Sequence, residues 1–281
     1  MAITAADVNK LRQMTGAGMM DCKNALVEAE GDFDKAIDIL RKKGQKVAAK
    51  RADRASNQGR VVARTNNEHT FGAILVVGCE TDFVAKNEDF GKFVETIMDA
   101  AMANQIKTRE ELLALPINGT KVEDMLMEMT GKTGEKMELP AYQVIEAPCV
   151  AAYNHMTGNP LSTIVGFNIA GERVAEIGHE IAMQIAAMNP LAVRPDEIDA
   201  AVIEHELTIA REITRQEGKP ENMIEKIAQG KLNKFFKENT LLSQEFIRNN
   251  KVTVEEYLKQ ENKDLTCTGF FRLKLSEESF F

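Results

Sequence analysis

The sequence predicts an α+β fold: an N-terminal three-helix bundle, then a core of two related β-β-α halves with an inserted helical hairpin of the coiled-coil type. Three patterns support this prediction. Apolar residues recur at helical spacing over residues 1–44, the spacing changes to two from residue 60, and a strand-strand-helix order then occurs twice. Segregated helices and strands of this kind are typical of α+β proteins.

Residues 1–44 predict the bundle. Thr4 can cap a first helix that carries Val8, Leu11 and Met14 on one face. A second helix is expected from about residue 19 to residue 30, after a glycine-rich break, and a third begins after the cap Asp32. Gly44 is expected to end the third helix. Residues 45–59, in which lysines and arginines alternate with alanines, predict a basic linker that is helical or frayed.

Residues 60–140 form the first predicted half of the core. A hairpin around Asn66 and Asn67 is expected to join two strands, of which the second holds the apolar run 73–77. Asn87 can cap the helix that follows. Short helices are expected over 110–115 and 122–129, and the segment 115–146 offers no clear boundaries.

Residues 141–194 form the second predicted half. Its strands are expected over 149–153 and 163–169, joined by a loop over 154–160, and a helix follows. Residues 195–240 predict the helical hairpin, with its turn at Gly218 to Pro220 and Val202, Ile209 and Ile213 among the residues that line one arm. Residues 241–281 are expected to return to the core through a helix and a strand.

Composition and motifs argue against an enzyme. The 281 residues carry a net charge of −8, which does not favour wholesale binding to nucleic acid. Gly131-Lys132-Thr133 resembles the end of a phosphate-binding loop, but Leu126 stands where that motif requires glycine. The pairs that begin at His179 and His205 lack the second histidine of a zinc-protease helix. We therefore expect no catalytic residue, no metal site and no cofactor.

The four cysteines are scattered along the chain, which favours a reducing compartment over a disulfide framework. The N-terminus has no long apolar run, and the apolar stretches elsewhere are too short to cross a bilayer. These features predict a cytoplasmic protein without membrane segments.

Two segments carry a specific resemblance to a known family. Residues 11–26 have the sequence LRQMTGAGMMDCKNAL, and residues 79–86 have the sequence CETDFVAK. Together they resemble the two signatures of the elongation factor Ts family, in the expected order, and the likeness extends over nearly the whole chain. The resemblance implies a guanine nucleotide exchange factor for translation elongation, whose N-terminal bundle is similar to ubiquitin-associated domains.

The resemblance also implies a partner and the residues that contact it. The partner is elongation factor Tu, bound in its GDP form and in its nucleotide-free form. The loop of Thr81, Asp82 and Phe83 is expected to enter the GTPase domain near the magnesium and phosphate site. The implied partner-binding residues are Arg12, Met19, Met20, Thr81, Asp82, Phe83, Val84 and His155.

Other interpretations stay open at this point. The basic stretch 41–54 could bind RNA phosphates, although it lacks interleaved aromatic residues. The bundle alone could bind a ubiquitin-like ligand, and a homodimer could form through the core or the hairpin. Some family members carry a further C-terminal helix that reaches the partner, and the present sequence is expected to lack it.

Overall fold

The computed structural model of the chain describes residues 3–155 and 160–275, and it combines helices with antiparallel sheets. The N-terminal helices are α1 (Ala5–Thr15), α2 (Met19–Glu28) and α3 (Phe33–Lys50). The first half of the core contains β1 (Gln58–Thr65), β2 (Phe71–Cys79), α4 (Asp82–Ala85), α5 (Glu88–Ala103), α6 (Arg109–Ala114), β3 (Pro116–Ile117), β4 (Thr120–Lys121), α7 (Val122–Thr133) and β5 (Glu138–Glu146). The remainder contains β6 (Cys149–His155), β7 (Leu161–Phe167), α8 (Glu172–Met188), α9 (Ala200–Gln216), α10 (Glu221–Asn239), β8 (Glu245–Phe246), β9 (Asn249–Thr253), α11 (Val254–Glu261) and β10 (Cys267–Lys274).

The three N-terminal helices pack around a small core of their own. Thr4 and Asp7 form a reciprocal capping box at the start of α1, as the sequence predicts for Thr4. The buried side chains are those of Val8, Leu11, Cys22, Ala25, Leu26, Ala29 and Ala36. This core is made mostly of small and medium side chains, so the helices lie close together.

Helix α3 is longer than the sequence predicts, and Gly44 does not end it. The helix continues to Lys50, so the first residues of the predicted linker 45–59 are helical. Gly44 is buried because α7 crosses α3 at this point. A Cβ on Gly44 would lie 3.0 Å from the Met127 carbonyl oxygen, and one on Gly131 would lie 2.8 Å from the Gly44 Cα. The absence of a side chain at both glycines therefore permits the close crossing.

The first sheet has the strand order β1-β2-β5. Strands β1 and β2 form the predicted antiparallel hairpin, and the Asn66 amide oxygen accepts hydrogen bonds from the Thr70 and Phe71 backbone N–H groups. Strand β5 pairs antiparallel with β2. Strand β5 crosses the predicted boundary between the two halves at residues 140 and 141, so the first half of the core extends to Glu146. The apolar pattern of β5 is interrupted, so the sequence does not predict this strand. Its pairing with β2 also shifts register beside Val76.

The second sheet repeats this arrangement with the order β6-β7-β10. In each half, two strands form a hairpin, a long helix follows, and a third strand returns antiparallel to the middle one. Asn154 and His155, predicted in a loop, are the last residues of β6, because they pair with Ser162 and Leu161 of β7. Residues 156–159 of that predicted loop lie outside the described residues. The chain after Leu275, to which the expectation of a missing C-terminal helix refers, also lies outside them.

The two sheets pack against each other, and helices cover their outer faces. Along β2, Leu75 and Val77 belong to the core beneath α5, whereas Ile74 and Val76 face the second sheet. This alternation follows from the two-residue period of a strand and explains why all of β2 is buried. The Asn154 side chain also joins the sheets, since it accepts from the Ala63 N–H at 2.7 Å and donates to the Ala63 carbonyl at 2.9 Å.

Helices α9 and α10 form the predicted hairpin, and Gly218, with φ of 71°, lies in its turn. The packed face differs from the prediction. Val202 and Ile213 are exposed, whereas Ala210 and Thr214 are buried against α10, which buries Ile224, Ala228 and Leu232. Small residues allow the two helices to approach, and the Thr214 hydroxyl donates to the Ala210 carbonyl at 2.6 Å. The homodimer through core or hairpin stays a prediction.

Within residues 3–155 and 160–275, the chain forms no helix with the length and apolar character needed to cross a membrane.

The crossing of α3 and α7 leads to a stability prediction. We expect Gly131→Ala to lower the free energy of unfolding by about 1–3 kcal/mol, because the new methyl group meets backbone atoms of α3. Gly230→Ala is the matched control, since it lies inside α10 with open space around it and should stabilise by up to about 1 kcal/mol. Urea denaturation of both variants measures the difference. Equal stabilisation by the two changes would contradict a tight crossing.

Candidate functional site

Phe83 lies on a single helical turn, α4, between β2 and α5. Its side chain is 83% exposed, the largest exposed fraction of any large apolar residue in the described part of the chain. Val84 and Ala85, the next two residues, pack against the core of the first half. The turn is therefore anchored on one side, and its aromatic ring is presented to solvent on the other.

Thr81 caps this turn. The Thr81 hydroxyl accepts a hydrogen bond from the Val84 N–H at 3.4 Å, and the Thr81 backbone is extended, as in an N-cap. Asp82 instead pairs with Lys86, with 2.6 Å between Oδ2 and Nζ. The hydrogen bond from Lys86 lowers the pKa of the Asp82 carboxyl below its ordinary value.

Two carboxylates hold the start of the turn, in an arrangement that we call the carboxylate clasp and define as Glu80, Thr81, Glu135 and Lys136. Glu135 accepts from the Thr81 N–H at 3.1 Å and from the Thr81 hydroxyl at 2.6 Å. Glu80 accepts from the Lys136 N–H at 2.7 Å. The strand end and the segment after α7 therefore bind each other in both directions.

The clasp is also connected to the N-terminal bundle. The Arg51 Nη1, at the end of α3, lies 2.7 and 2.8 Å from the two carboxylate oxygens of Glu80. The hydrogen bond from the Lys136 N–H, followed by the one from Arg51, lowers the pKa of the Glu80 carboxyl. Glu80 is thus held in its charged form between two parts of the molecule.

Methionines on both sides of the connection between α1 and α2, which we call the bundle turn, form a second exposed apolar surface. Met20 is 62% exposed, and Met19 and Met14 are also exposed. Neither Met19 nor Met20 belongs to the small core of the bundle, where α2 instead contributes Cys22, Ala25 and Leu26. Arg12 is exposed on the same helix as Met14.

Sequence reasoning missed Met14 and Val27 as exposed apolar residues. The helical spacing of Met14 after Leu11 predicts that it lies on the buried face of α1. In the structure Val8 and Leu11 of α1 are buried in the bundle core, whereas Met14, in the last turn of the helix, is exposed.

A chain of contacts connects the bundle turn with the Phe83 turn. Gly16, in the left-handed conformation that ends α1, lies against the Lys132 side chain, which is 2.8 Å from the position that a Cβ would take. The Lys132 ammonium donates to Asp89 at 3.1 Å, and Asp89 lies in the first turn of α5, which directly follows the Phe83 turn. The two apolar surfaces therefore border the same connected group of residues.

His155 lies elsewhere, at the end of β6 in the second sheet. Its Nδ1 is 3.1 Å from the Tyr153 hydroxyl oxygen, and the Tyr153 ring makes an edge contact with His179. The structure thus keeps Thr81 to Val84 on one turn, links that turn to the bundle only through Lys132 and the clasp among the contacts described above, and places His155 in the second sheet.

Groups with catalytic potential have structural roles in this fold. All four cysteines are buried, and burial raises the pKa of the Cys79 thiol to about 12. Glu180 binds the Tyr257 hydroxyl, and Gly131 lies inside a helix against Gly44. Within the ranges 3–155 and 160–275, no three His, Cys, Asp or Glu side chains are grouped so as to hold a metal ion.

Ion pairs neutralise part of the basic stretch 41–54. Arg41 pairs with Glu128 at 2.8 Å, Arg51 pairs with Glu80, and Lys43 pairs with Asp21. These contacts fasten α3 to its neighbours and reduce the positive surface that RNA phosphates would require.

Comparison with known proteins identifies the family of the chain. Residues 80–277 match the family described as Elongation factor TS. The chain is 52% identical to elongation factor Ts of Amoebophilus asiaticus over 97% of its own length and 99% of that protein. It is 50% identical to elongation factor Ts of Christiangramia forsetii, over 97% of the chain and 98% of the relative. The same identity holds for elongation factor Ts of Porphyromonas gingivalis, over 99% and 100%. The chain therefore belongs to the elongation factor Ts family.

Proposed function

We propose that this chain is a guanine nucleotide exchange factor that binds elongation factor Tu and promotes release of its GDP during translation elongation. The observation that carries the proposal is the exposed Phe83 ring on a turn anchored by Val84 and the carboxylate clasp. An exchange factor of this kind contributes no catalytic group, so its function depends on shape and contact alone.

The N-terminal bundle, of the ubiquitin-associated type, provides the grip on the GTPase domain. Arg12, Met19 and Met20 are its contact residues, and Met14 extends the same surface. Methionine side chains are flexible and adapt to the shape of a partner, which suits a surface that must hold the GTPase in more than one state.

Thr81, Asp82, Phe83 and Val84 form the intruding turn. The Phe83 ring enters an apolar gap of the GTPase domain beside the magnesium and phosphate site, while Val84 keeps the turn seated on its own core. Burial of the ring in the complex contributes about 2–3 kcal/mol. Displacement of the magnesium contacts and of the backbone amides that hold the phosphates then weakens GDP.

His155 provides a separate contact from the second half of the core, which faces another domain of the partner. Its position at the end of β6, beside Tyr153, is consistent with a contact independent of the Phe83 turn. The grip and the turn act on the GTPase domain, whereas this contact orients the partner as a whole.

Exchange follows from linkage between the two binding equilibria. If the chain binds nucleotide-free elongation factor Tu more tightly than the GDP form, GDP affinity falls by the same factor when the chain is bound. Each tenfold difference corresponds to about 1.4 kcal/mol, so burial of one aromatic ring accounts for at least a tenfold effect.

Phe83→Ala tests the intruding turn. We expect the maximal rate of stimulated GDP release to fall at least about tenfold, because the ring supplies contacts made only in the complex. The free energy of unfolding should change by less than about 0.5 kcal/mol, since the ring is exposed. Stopped-flow release of a fluorescent GDP analogue from elongation factor Tu measures the rate.

Met223→Ala is the matched control for Phe83, because Met223 is an exposed apolar residue on α10 in the hairpin. It should leave stimulated release at the wild-type rate. If Phe83→Ala stimulates GDP release at the wild-type rate, the ring has no role in the mechanism, even though the chain is still an exchange factor.

Met20→Asp tests the grip of the bundle. A charge in an apolar contact should raise the half-saturating concentration of the chain at least about tenfold, while the maximal rate stays near wild type. Titration of stimulated GDP release gives both quantities, and Met223→Asp serves as the control. A fall in the maximal rate at unchanged half-saturation would contradict a role confined to binding.

A further inference from the structure

We infer that Glu135 is a positioning residue for nucleotide exchange, and that it acts by fixing the turn on which Phe83 is presented. This inference rests on the proposed exchange function and adds a residue outside the intruding turn to it. Glu135 lies between α7 and β5, more than fifty positions from Thr81 in the sequence, so its contact with Thr81 depends on the fold.

The contact itself requires a carboxylate. Thr81 presents two donors to Glu135, its backbone N–H at 3.1 Å from one oxygen and its hydroxyl at 2.6 Å from the other. A carboxylate offers two acceptor oxygens, whereas the amide of glutamine offers one oxygen and an NH₂ group that would face a donor. Hydrogen bonds to a charged acceptor are also stronger than those between neutral groups.

Glu135 is itself held in place by the end of α7. Its N–H donates to the Thr133 hydroxyl at 3.2 Å, and that hydroxyl donates to the Met129 carbonyl at 2.9 Å. Helix α7 is in turn fixed against α3 at Gly44 and Gly131. The position of the Phe83 turn is thus coupled to the helix that carries the bundle.

Comparison of the two halves of the core distinguishes the Glu135 contact from contacts that belong to the repeated fold. In the second half, Asn168, directly after β7, accepts from the Thr266 N–H at 2.9 Å and donates to the Asp264 carbonyl at 2.8 Å, just before β10. Glu80, directly after β2, binds the Lys136 N–H before β5 in the same manner. The Glu80 contact therefore belongs to the repeated fold.

The Glu135 contact has no such counterpart in the described part of the second half, where the corresponding turn, residues 168–171, carries no aromatic ring. The additional carboxylate occurs where an aromatic side chain is presented to solvent. Holding that turn in one conformation before binding removes the cost of ordering it in the complex. A positioning role for Glu135 follows from this difference between the halves.

Glu135→Gln tests the inference. We expect the maximal rate of stimulated GDP release to fall about tenfold, with half-saturation changed less than about twofold, because the turn is misplaced and the bundle surface is untouched. Thr81→Val removes the hydroxyl bond to Glu135 and the cap bond from the Val84 N–H, and it keeps the backbone N–H bond to Glu135. It should lower the maximal rate in the same direction, and it replaces Glu135→Gln in the test if that variant fails to fold. Glu172→Gln controls for loss of one charge, and Asn168→Ala for loss of bracing at the equivalent turn of the second half.

Two further measurements distinguish positioning from general stability. In a double-mutant cycle, Glu135→Gln should cause little additional loss in a Phe83→Ala background, because both changes act through the same ring. Amide hydrogen exchange of free Glu135→Gln should be faster at Thr81 to Ala85 and unchanged in the bundle.

The outcomes separate this inference from the proposed function. If the wild-type chain does not accelerate GDP release, the exchange function fails, and the positioning role fails with it. If the wild type is active and Glu135→Gln exchanges at the wild-type rate, only the positioning role is overturned. Additive losses in the double-mutant cycle would also overturn it, since Glu135 would then act independently of Phe83.

Discussion

The close crossing of α3 and α7 is the constraint on which the arrangement of this molecule depends. Gly44 and Gly131 face each other there, and a methyl group at either position would meet backbone atoms of the other helix. The crossing brings Arg51 to Glu80 and the bundle turn at Gly16 to Lys132. The glycines therefore determine how the two exposed apolar surfaces are placed relative to each other.

The two exposed apolar surfaces are built from different side chains on different supports, and this difference suits different tasks. The bundle presents methionines, which adapt to a partner, on helices that pack around a small core. The other surface presents one aromatic ring on a turn held by Val84, Lys86 and the carboxylate clasp. In the proposed exchange, the methionines can maintain contact while the partner changes shape, whereas the ring on its anchored turn can force that change. The four cysteines are buried, and His155 and His179 make hydrogen bonds within the second half of the core.

The sequence predicts the features that depend on neighbouring residues. The caps at Thr4 and Asn87 and the hairpin at Asn66 are confirmed, because their signals lie within a few positions of the structure that they form. Features that depend on distant contacts were missed or wrong. Gly44 has the character of a helix end, and only the approach of α7 shows why the helix continues. The face of α9 that packs on α10 differs from the prediction, because Ala210 and Thr214 allow the two helices to approach more closely than Ile209 and Ile213 would. For the candidate site, the motif indicates Phe83, but only the fold shows that its ring is exposed, and no local signal points to Glu135.

The internal repeat explains how the two halves of the core carry different insertions. In each half, the chain between the long helix and the third strand is free to vary, because neither the hairpin nor the sheet order depends on it. In the first half this chain forms α6, the β3-β4 ribbon and α7, which returns Glu135 to the end of the middle strand. In the second half it forms the α9–α10 hairpin and α11, and the turn after β7 is held by the hydrogen bonds of Asn168 and by packing of Ile169 on the core. The same insertion point thus supports the Phe83 turn in one half and carries a solvent-exposed arm in the other. Support for the ring is an addition to the repeated fold, which is why its loss should affect exchange more than stability.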